Sequence, residues 1–191
     1  MPTDPSLIRD LESIRCFVEA AGTYCSLIEH YEALTPFDLA RRSAELLPTL
    51  YSAGLALPDV PMPEAQSEKP DAFYDSVPIK HTAALSRTLG EKLGAYNRYW
   101  QVSDPFEGEE PVAALLGEDL ADMYGDLKRG LVAFDRKSPA SGAPTEHDAA
   151  EAAWHWRFSF GNHWGRHLVS ALRTLHYILS TQEEGLGVRG I

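Results

Sequence analysis

The sequence predicts an all-α fold, an antiparallel up-down bundle of about five main helices with one long Pro-rich loop. Three observations predict it. Apolar residues recur at alternating steps of four and three along several long segments, the spacing of one helix face. Proline- and glycine-rich stretches punctuate the chain between those segments. No stretch keeps up the two-residue alternation of a half-buried strand. Short connections between long helices favour antiparallel neighbours. A length of 191 residues suits one domain, residues 1–191, with a core large enough to need no disulfide or structural metal.

The first helix is expected over residues 7–34, where Leu7, Leu11, Ile14, Val18, Ala21, Cys25 and Ile28 form the seam. Thr35-Pro36 ends it and starts the second, over 36–57. Thr35 suits the N-cap, Pro36 the first helical position, and Asp38 the positive helix end. Pro48 lies inside this helix and should kink or restart it, and Gly54 and Pro58 mark its end. Residues 58–77, with Pro58, Pro61, Pro63 and Pro70 among acids, read as a surface loop.

The third helix should start at Pro78, with Asp75 or Ser76 near its cap, and carry Leu85, Leu89, Leu93, Tyr96 and Trp100 on one face. Asp104-Pro105-Phe106 reads as a turn. The fourth runs over 111–134 with Leu116, Leu120, Met123, Leu127 and Phe134 inward, and a loop follows at 136–145. The fifth and longest, over 145–181, has the most regular seam: Trp154, Phe158, Gly161, Gly165, Leu168, Leu172, Leu175 and Leu179. Gly161 and Gly165 within it predict a close helix crossing.

Composition narrows the function classes. Seventeen Lys and Arg face 28 Asp and Glu, a net charge of -11, which argues against nucleic acid and anionic membrane surfaces as partners. No window is apolar enough to span a bilayer and the first residues do not resemble a signal peptide, so the expected location is the cytoplasm. Cys16 and Cys25, nine residues apart on one helix, are ~13 Å apart along its axis and cannot pair; both read as small apolar core residues.

Two segments stand out as places for chemistry. On the fifth helix a second stripe, Trp156, Phe160, His163 and His167, lies opposite the seam. With Arg157 it makes a candidate functional surface, and exposed aromatics of this kind usually mark interfaces. His163 and His167, four apart, have the spacing by which two imidazoles reach one metal ion. On the fourth helix Asp119, Asp122 and Asp126 share one flank at i, i+3 and i+7, while Glu118 points elsewhere. If that flank met the histidines, a mixed His/carboxylate metal site would form from all five residues. A structural reading competes: the acids favour a helix start, or pair with Arg157.

Two weaker motifs are the dipeptide His147-Asp148, for which helix capping is the simpler account, and the pair Glu29 and Glu32. With Asp119 and Asp122 that pair loosely resembles the acidic motifs of all-α nucleotide pyrophosphohydrolases, which place them closer together in sequence.

The strings Trp100-Gln101-Val102-Ser103-Asp104-Pro105, Glu118-Asp119-Leu120-Ala121-Asp122-Met123-Tyr124-Gly125-Asp126-Leu127-Lys128, Trp154-His155-Trp156-Arg157-Phe158 and His163-Trp164-Gly165-Arg166-His167 resemble a bacterial family, domain of unknown function 5063. The resemblance covers most of the chain and is clearest over 96–176. It implies a helical bacterial protein and brings no catalytic assignment with it.

Two functions are therefore expected. The first is a non-catalytic binding or assembly module that self-associates, as a homodimer, or takes a protein partner through the aromatic stripe. The second is a metal-dependent hydrolase acting on a phosphorylated small molecule, with a divalent metal as its one cofactor and a bound water as nucleophile.

Overall fold

The computed structural model describes residues 5–62, 76–102, 106–108, 110–138 and 141–183. Among them are six α-helices: α1 (Glu12–Glu29), α2 (Pro36–Leu55), α3 (Ile79–Leu93), α4 (Leu116–Phe134), α5 (Glu146–Asn162) and α6 (Trp164–Glu183). The fold is all-α, a helical bundle with one small sheet. The middle of the Pro-rich loop, the Asp104-Pro105 turn and part of the 136–145 loop lie outside the described residues.

The first two helices follow their sequence signals. Ile14, Ala21, Cys25 and Ile28 are buried on α1, as the spacing requires, whereas Cys16 faces solvent and is not a core residue. The Thr35 hydroxyl accepts a hydrogen bond from the Asp38 N–H at 3.0 Å and so caps α2. That helix runs through Pro48 as one element.

The third helix is shorter than its apolar pattern suggests. It stops at Leu93 because Gly94 turns to φ 57, a conformation that suits glycine. The chain then forms β1 (Arg98–Gln101), antiparallel to β2 (Val112–Leu115) with Arg98 opposite Leu115 and Gln101 opposite Val112. Tyr99 and Trp100 are thus strand residues, as aromatics favour, and Trp100 is half exposed instead of lining a helix. Asn97 ties this hairpin to the start of α4. Its carbonyl accepts from Leu116 N–H and its side-chain oxygen from Gly117 N–H, each at 2.8 Å.

The predicted fifth helix is two helices. His163 breaks it, with φ -139 and ψ -90. Its N–H donates to Ser159 O at 2.8 Å, closing α5, and its carbonyl accepts from Arg166 N–H at 3.0 Å and His167 N–H at 3.3 Å, opening α6. Gly165 makes the corner feasible: a Cβ there would lie 2.1 Å from the Phe160 carbonyl oxygen. Gly161 has open space around it and is not a crossing point. The close approach between helices is at Gly117 instead, where a Cβ would lie 2.7 Å from the Gly90 backbone nitrogen of α3. The break also resets the seam. Trp156 is buried on α5 and Trp164, Leu168, Leu175 and Ile178 on α6, while Phe158 is exposed.

The helix in the middle is α4. It packs against α1, α3, α5 and α6, and buries residues around most of its circumference. Trp156 seats its indole over Gly130 and donates to Leu127 O at 3.2 Å. Trp164 donates to Trp156 O at 3.0 Å, and Phe17 packs against both indoles. Each large aromatic buries roughly 150–250 Å². At ~25 cal/mol per Å² that is about 4–6 kcal/mol of gross hydrophobic stabilisation apiece, enough to fix the corner against α4.

Candidate metal centre

The corner delivers His163 and His167 to the acidic flank of α4. Residues 119, 122 and 126 fall within an arc of about 60° on a helix, and α6 packs along that arc. All five residues singled out from the sequence come together here. His163 Nδ1 lies 2.8 Å from Asp126 Oδ2, and His167 Nδ1 lies 2.8 Å from Asp119 Oδ1. His167 Nε2 faces Asp122 Oδ2 at 3.6 Å. The two imidazole rings stand edge to face, 4.9 Å apart.

These distances divide the five residues into two roles. A carboxylate only accepts hydrogen bonds, so each Nδ1 carries the proton and donates it to its aspartate. In the neutral ring each Nε2 then holds the lone pair. This is the arrangement in which a second carboxylate fixes the tautomer and direction of a metal-binding histidine. Asp119 and Asp126 are the orienting groups. Asp122, His163 and His167 are the candidate ligands, and one ligand atom from each lies within 4.8 Å of the others. Ligands bound at about 2.1 Å in a tetrahedron sit ~3.4 Å apart, so the three would have to draw closer to hold one ion.

Each orienting aspartate is itself held. Asp119 is nearly buried, and its second oxygen accepts from the Tyr99 hydroxyl at 2.6 Å. The second oxygen of Asp126 accepts from Arg129 at 3.2 Å, and Arg129 also donates to Val77 O at 3.0 Å. The candidate ligand Asp122 accepts no hydrogen bond among the described residues. Burial pushes its carboxyl above the ordinary range; Asp126 and Asp119 add to that, while His167 and His163 oppose it. The hydrogen bond to Asp126 raises the His163 imidazole above its usual value, although burial works against it. His155, on the last turns of α5, feels the Asp126 charge, but burial dominates and brings it down to about 4.

Other sequence-level candidates go elsewhere. Trp156 is fully buried and Phe160 packs on Tyr51 and Trp164, so they are not part of an exposed surface. The two rings face the bundle core, while His163 remains half exposed. Arg157 is exposed and has no ion pair among the described residues; the acids are met by histidines and Arg129 instead. Asp148 completes the cap of α5, its N–H donating to the Thr145 hydroxyl at 3.1 Å, and pairs with Arg136. Glu29 accepts from Tyr124 and pairs with Lys128, both on the side of α4 away from Asp122, so no joint acidic site with Asp119 and Asp122 forms. Tyr99 and Arg129 were not legible as site residues, because both act through an aspartate.

Fold and cluster together define a helical-bundle protein with a histidine–aspartate centre at a helix corner. The chain belongs to the family described as Domain of unknown function (DUF5063), which it matches over residues 11–181. It shares its fold with the crystal structure of protein BF1032 from Bacteroides fragilis, at a TM-score of 0.70 and 22% identity, over 88% of this chain and 93% of that one. No curated protein matches it. No helix among the described residues is long and apolar enough to cross a membrane.

Proposed function

We propose that the chain is a metal-dependent hydrolase whose centre holds one divalent first-row transition ion on Asp122, His163 and His167. The observation that carries the reading is that both imidazoles give Nδ1 to a dedicated aspartate, at 2.8 Å each, while His167 Nε2 lies 3.6 Å from Asp122 Oδ2 and a ligand atom of His163 lies within 4.8 Å of both residues. A set of two nitrogens and one carboxylate suits Zn²⁺, Mn²⁺, Fe²⁺ or Co²⁺ better than Mg²⁺ or Ca²⁺, which prefer all-oxygen sites. Three protein ligands leave positions for water, the mark of catalytic and not structural sites. His163 is half exposed, which gives a substrate access. An ion so held lowers the pKa of its water and polarises a carbonyl or phosphoryl oxygen.

The other reading, a binding or assembly module that self-associates through Trp156 and Phe160, loses its support because those rings are taken up by the chain's own core. The test is direct. Protein stripped with chelator is titrated with each ion by calorimetry, then assayed with phosphate monoesters, phosphate anhydrides and non-phosphorylated esters. One ion per chain and metal-dependent turnover support the proposal. Binding without turnover on any class removes the hydrolase, and absence of binding removes the metal centre.

A further inference from the structure

We infer that Tyr99, on the hairpin between α3 and α4, is the positioning residue that fixes His167 for metal, acting through Asp119. The inference rests on the metal reading above and assigns a role to the hairpin, the one sheet among the described residues.

Asp119 has two oxygens and two donors. His167 Nδ1–H occupies Oδ1 at 2.8 Å and the Tyr99 hydroxyl occupies Oδ2 at 2.6 Å. The phenol has one proton to give. Gln101 Oε1 at 3.4 Å is the longer alternative acceptor, so the charged oxygen of Asp119 takes it. Burial first, then Asp119, pushes the Tyr99 phenol up, so it remains a donor throughout the working range.

Two consequences follow. With both oxygens engaged and its side chain almost fully enclosed, Asp119 is held to orient His167, and it is not among the three residues whose ligand atoms cluster. And the direction of His167 depends on a hairpin anchored at Asn97 to the first turn of α4, the same turn that carries Asp119. Arg129 does the equivalent work for Asp126, but it is buried and also holds the Val77 carbonyl, so its removal would disturb the fold. Tyr99 is the cleaner handle: phenylalanine keeps the ring and deletes only the donor.

The experiment compares wild type, Tyr99→Phe, Asp119→Asn and the double variant. The first readout needs no metal: ¹⁵N NMR of metal-free protein above the histidine titration range, where wild-type His167 is expected as the single Nδ1–H tautomer and Tyr99→Phe as a mixture. The second is Co²⁺ titration, with affinity and visible absorption recorded. Removing an orienting partner weakens metal binding by about 10–100-fold, and Tyr99, one bond further out, is expected near the lower end, with an altered Co²⁺ spectrum. The phenylalanine change should add nothing on the Asp119→Asn background. An unchanged tautomer and affinity in Tyr99→Phe, or an effect that persists undiminished without Asp119, overturns the inference even where wild type binds Co²⁺. Failure of wild type to bind any ion overturns the metal reading, while the tautomer measurement still decides the role of Tyr99.

Discussion

Replacing Asp122 by asparagine separates metal binding from folding. Burial raises the Asp122 carboxyl, with Asp126 and Asp119 adding to the effect, and His167 and His163 do not fully offset it. A carboxyl whose proton is held more tightly in the folded chain than in the unfolded one favours folding at low pH. That contribution is lost as pH rises through its raised folded range. At neutral pH the charge is therefore a burden on the metal-free fold. Asparagine keeps the shape and removes the charge, so metal-free Asp122→Asn should unfold no earlier than wild type, to within about 0.5 kcal/mol. With metal the order reverses. A single-site ligand at 100 times its Kd raises the unfolding free energy by about 2.7 kcal/mol. For a chain of this length that is roughly 5–11 °C in Tm. Asp122 is the only charged ligand of the three, and its loss should weaken binding at least as much as the ~100-fold upper range for an orienting residue. At the same metal concentration the gain then falls to about 0.4 kcal/mol, near 1 °C. Thermal unfolding of both proteins, with and without the ion found for wild type, measures all four numbers. An equal shift in the variant refutes Asp122 as a ligand, and a clear loss of stability in the metal-free variant refutes the claim that its charge serves only the site.

Three further outcomes test the surrounding structure. Gly165→Ala would place a Cβ 2.1 Å from the Phe160 carbonyl oxygen, a backbone contact no rotamer relieves, and should lose about 1–3 kcal/mol or more in urea unfolding; Gly161→Ala, with open space, should be neutral or gain up to ~1 kcal/mol. Asp126→Asn should weaken metal binding by about 10–100-fold in calorimetry while the number of ions per chain stays the same; a lost ion would make Asp126 a ligand. Burial holds His155 down to about 4, so the unfolded chain takes up this proton first as pH falls. Its contribution to stability is complete above the ordinary histidine range and is lost between there and about pH 4. His155→Gln should flatten that part of the stability–pH curve, and an unchanged slope in denaturant unfolding would contradict it.

The elements legible in the sequence were those set by a single helix. The flank of Asp119, Asp122 and Asp126 follows from 100° per residue, and α6 presents His167 on its first turn. What brings the two sets together is not periodic. A seam that continues in step across Gly161 and Gly165 reads as one helix, and only the contact of Gly165 with its own chain reveals the corner. The dipeptide Gly161-Asn162 was the one local hint, since both residues are weak helix formers. The hairpin escaped because four-residue strands are too short to show alternation, although Arg98-Tyr99-Trp100-Gln101 between Gly94 and Pro111 has the composition of one. Missing it meant missing Tyr99. The aromatic stripe of the fifth helix was real as a pattern, but its rings go to the core and its imidazoles to the acidic flank of α4, and an apolar face does not say whether a partner or the chain itself covers it.

The charge balance at the corner argues that the cluster is there for a ligand. A network kept for stability alone would pair each charge and could be exchanged for apolar groups at little loss. Here three aspartates meet one guanidinium and two imidazoles, and the aspartate left without a hydrogen bond is Asp122, which faces His167 Nε2. Two other part-buried acids of the bundle do meet a cation: Glu29 pairs with Lys128, and Asp148 with Arg136, which Glu151 shares. Nor does packing require polar groups at this seam, since Leu120, Met123 and Leu127 supply the core along the rest of α4. A divalent cation would restore the balance, taking the Asp122 charge and both imidazole lone pairs at once. The imbalance thus has a sign, and it is one that the proposed divalent ion would offset.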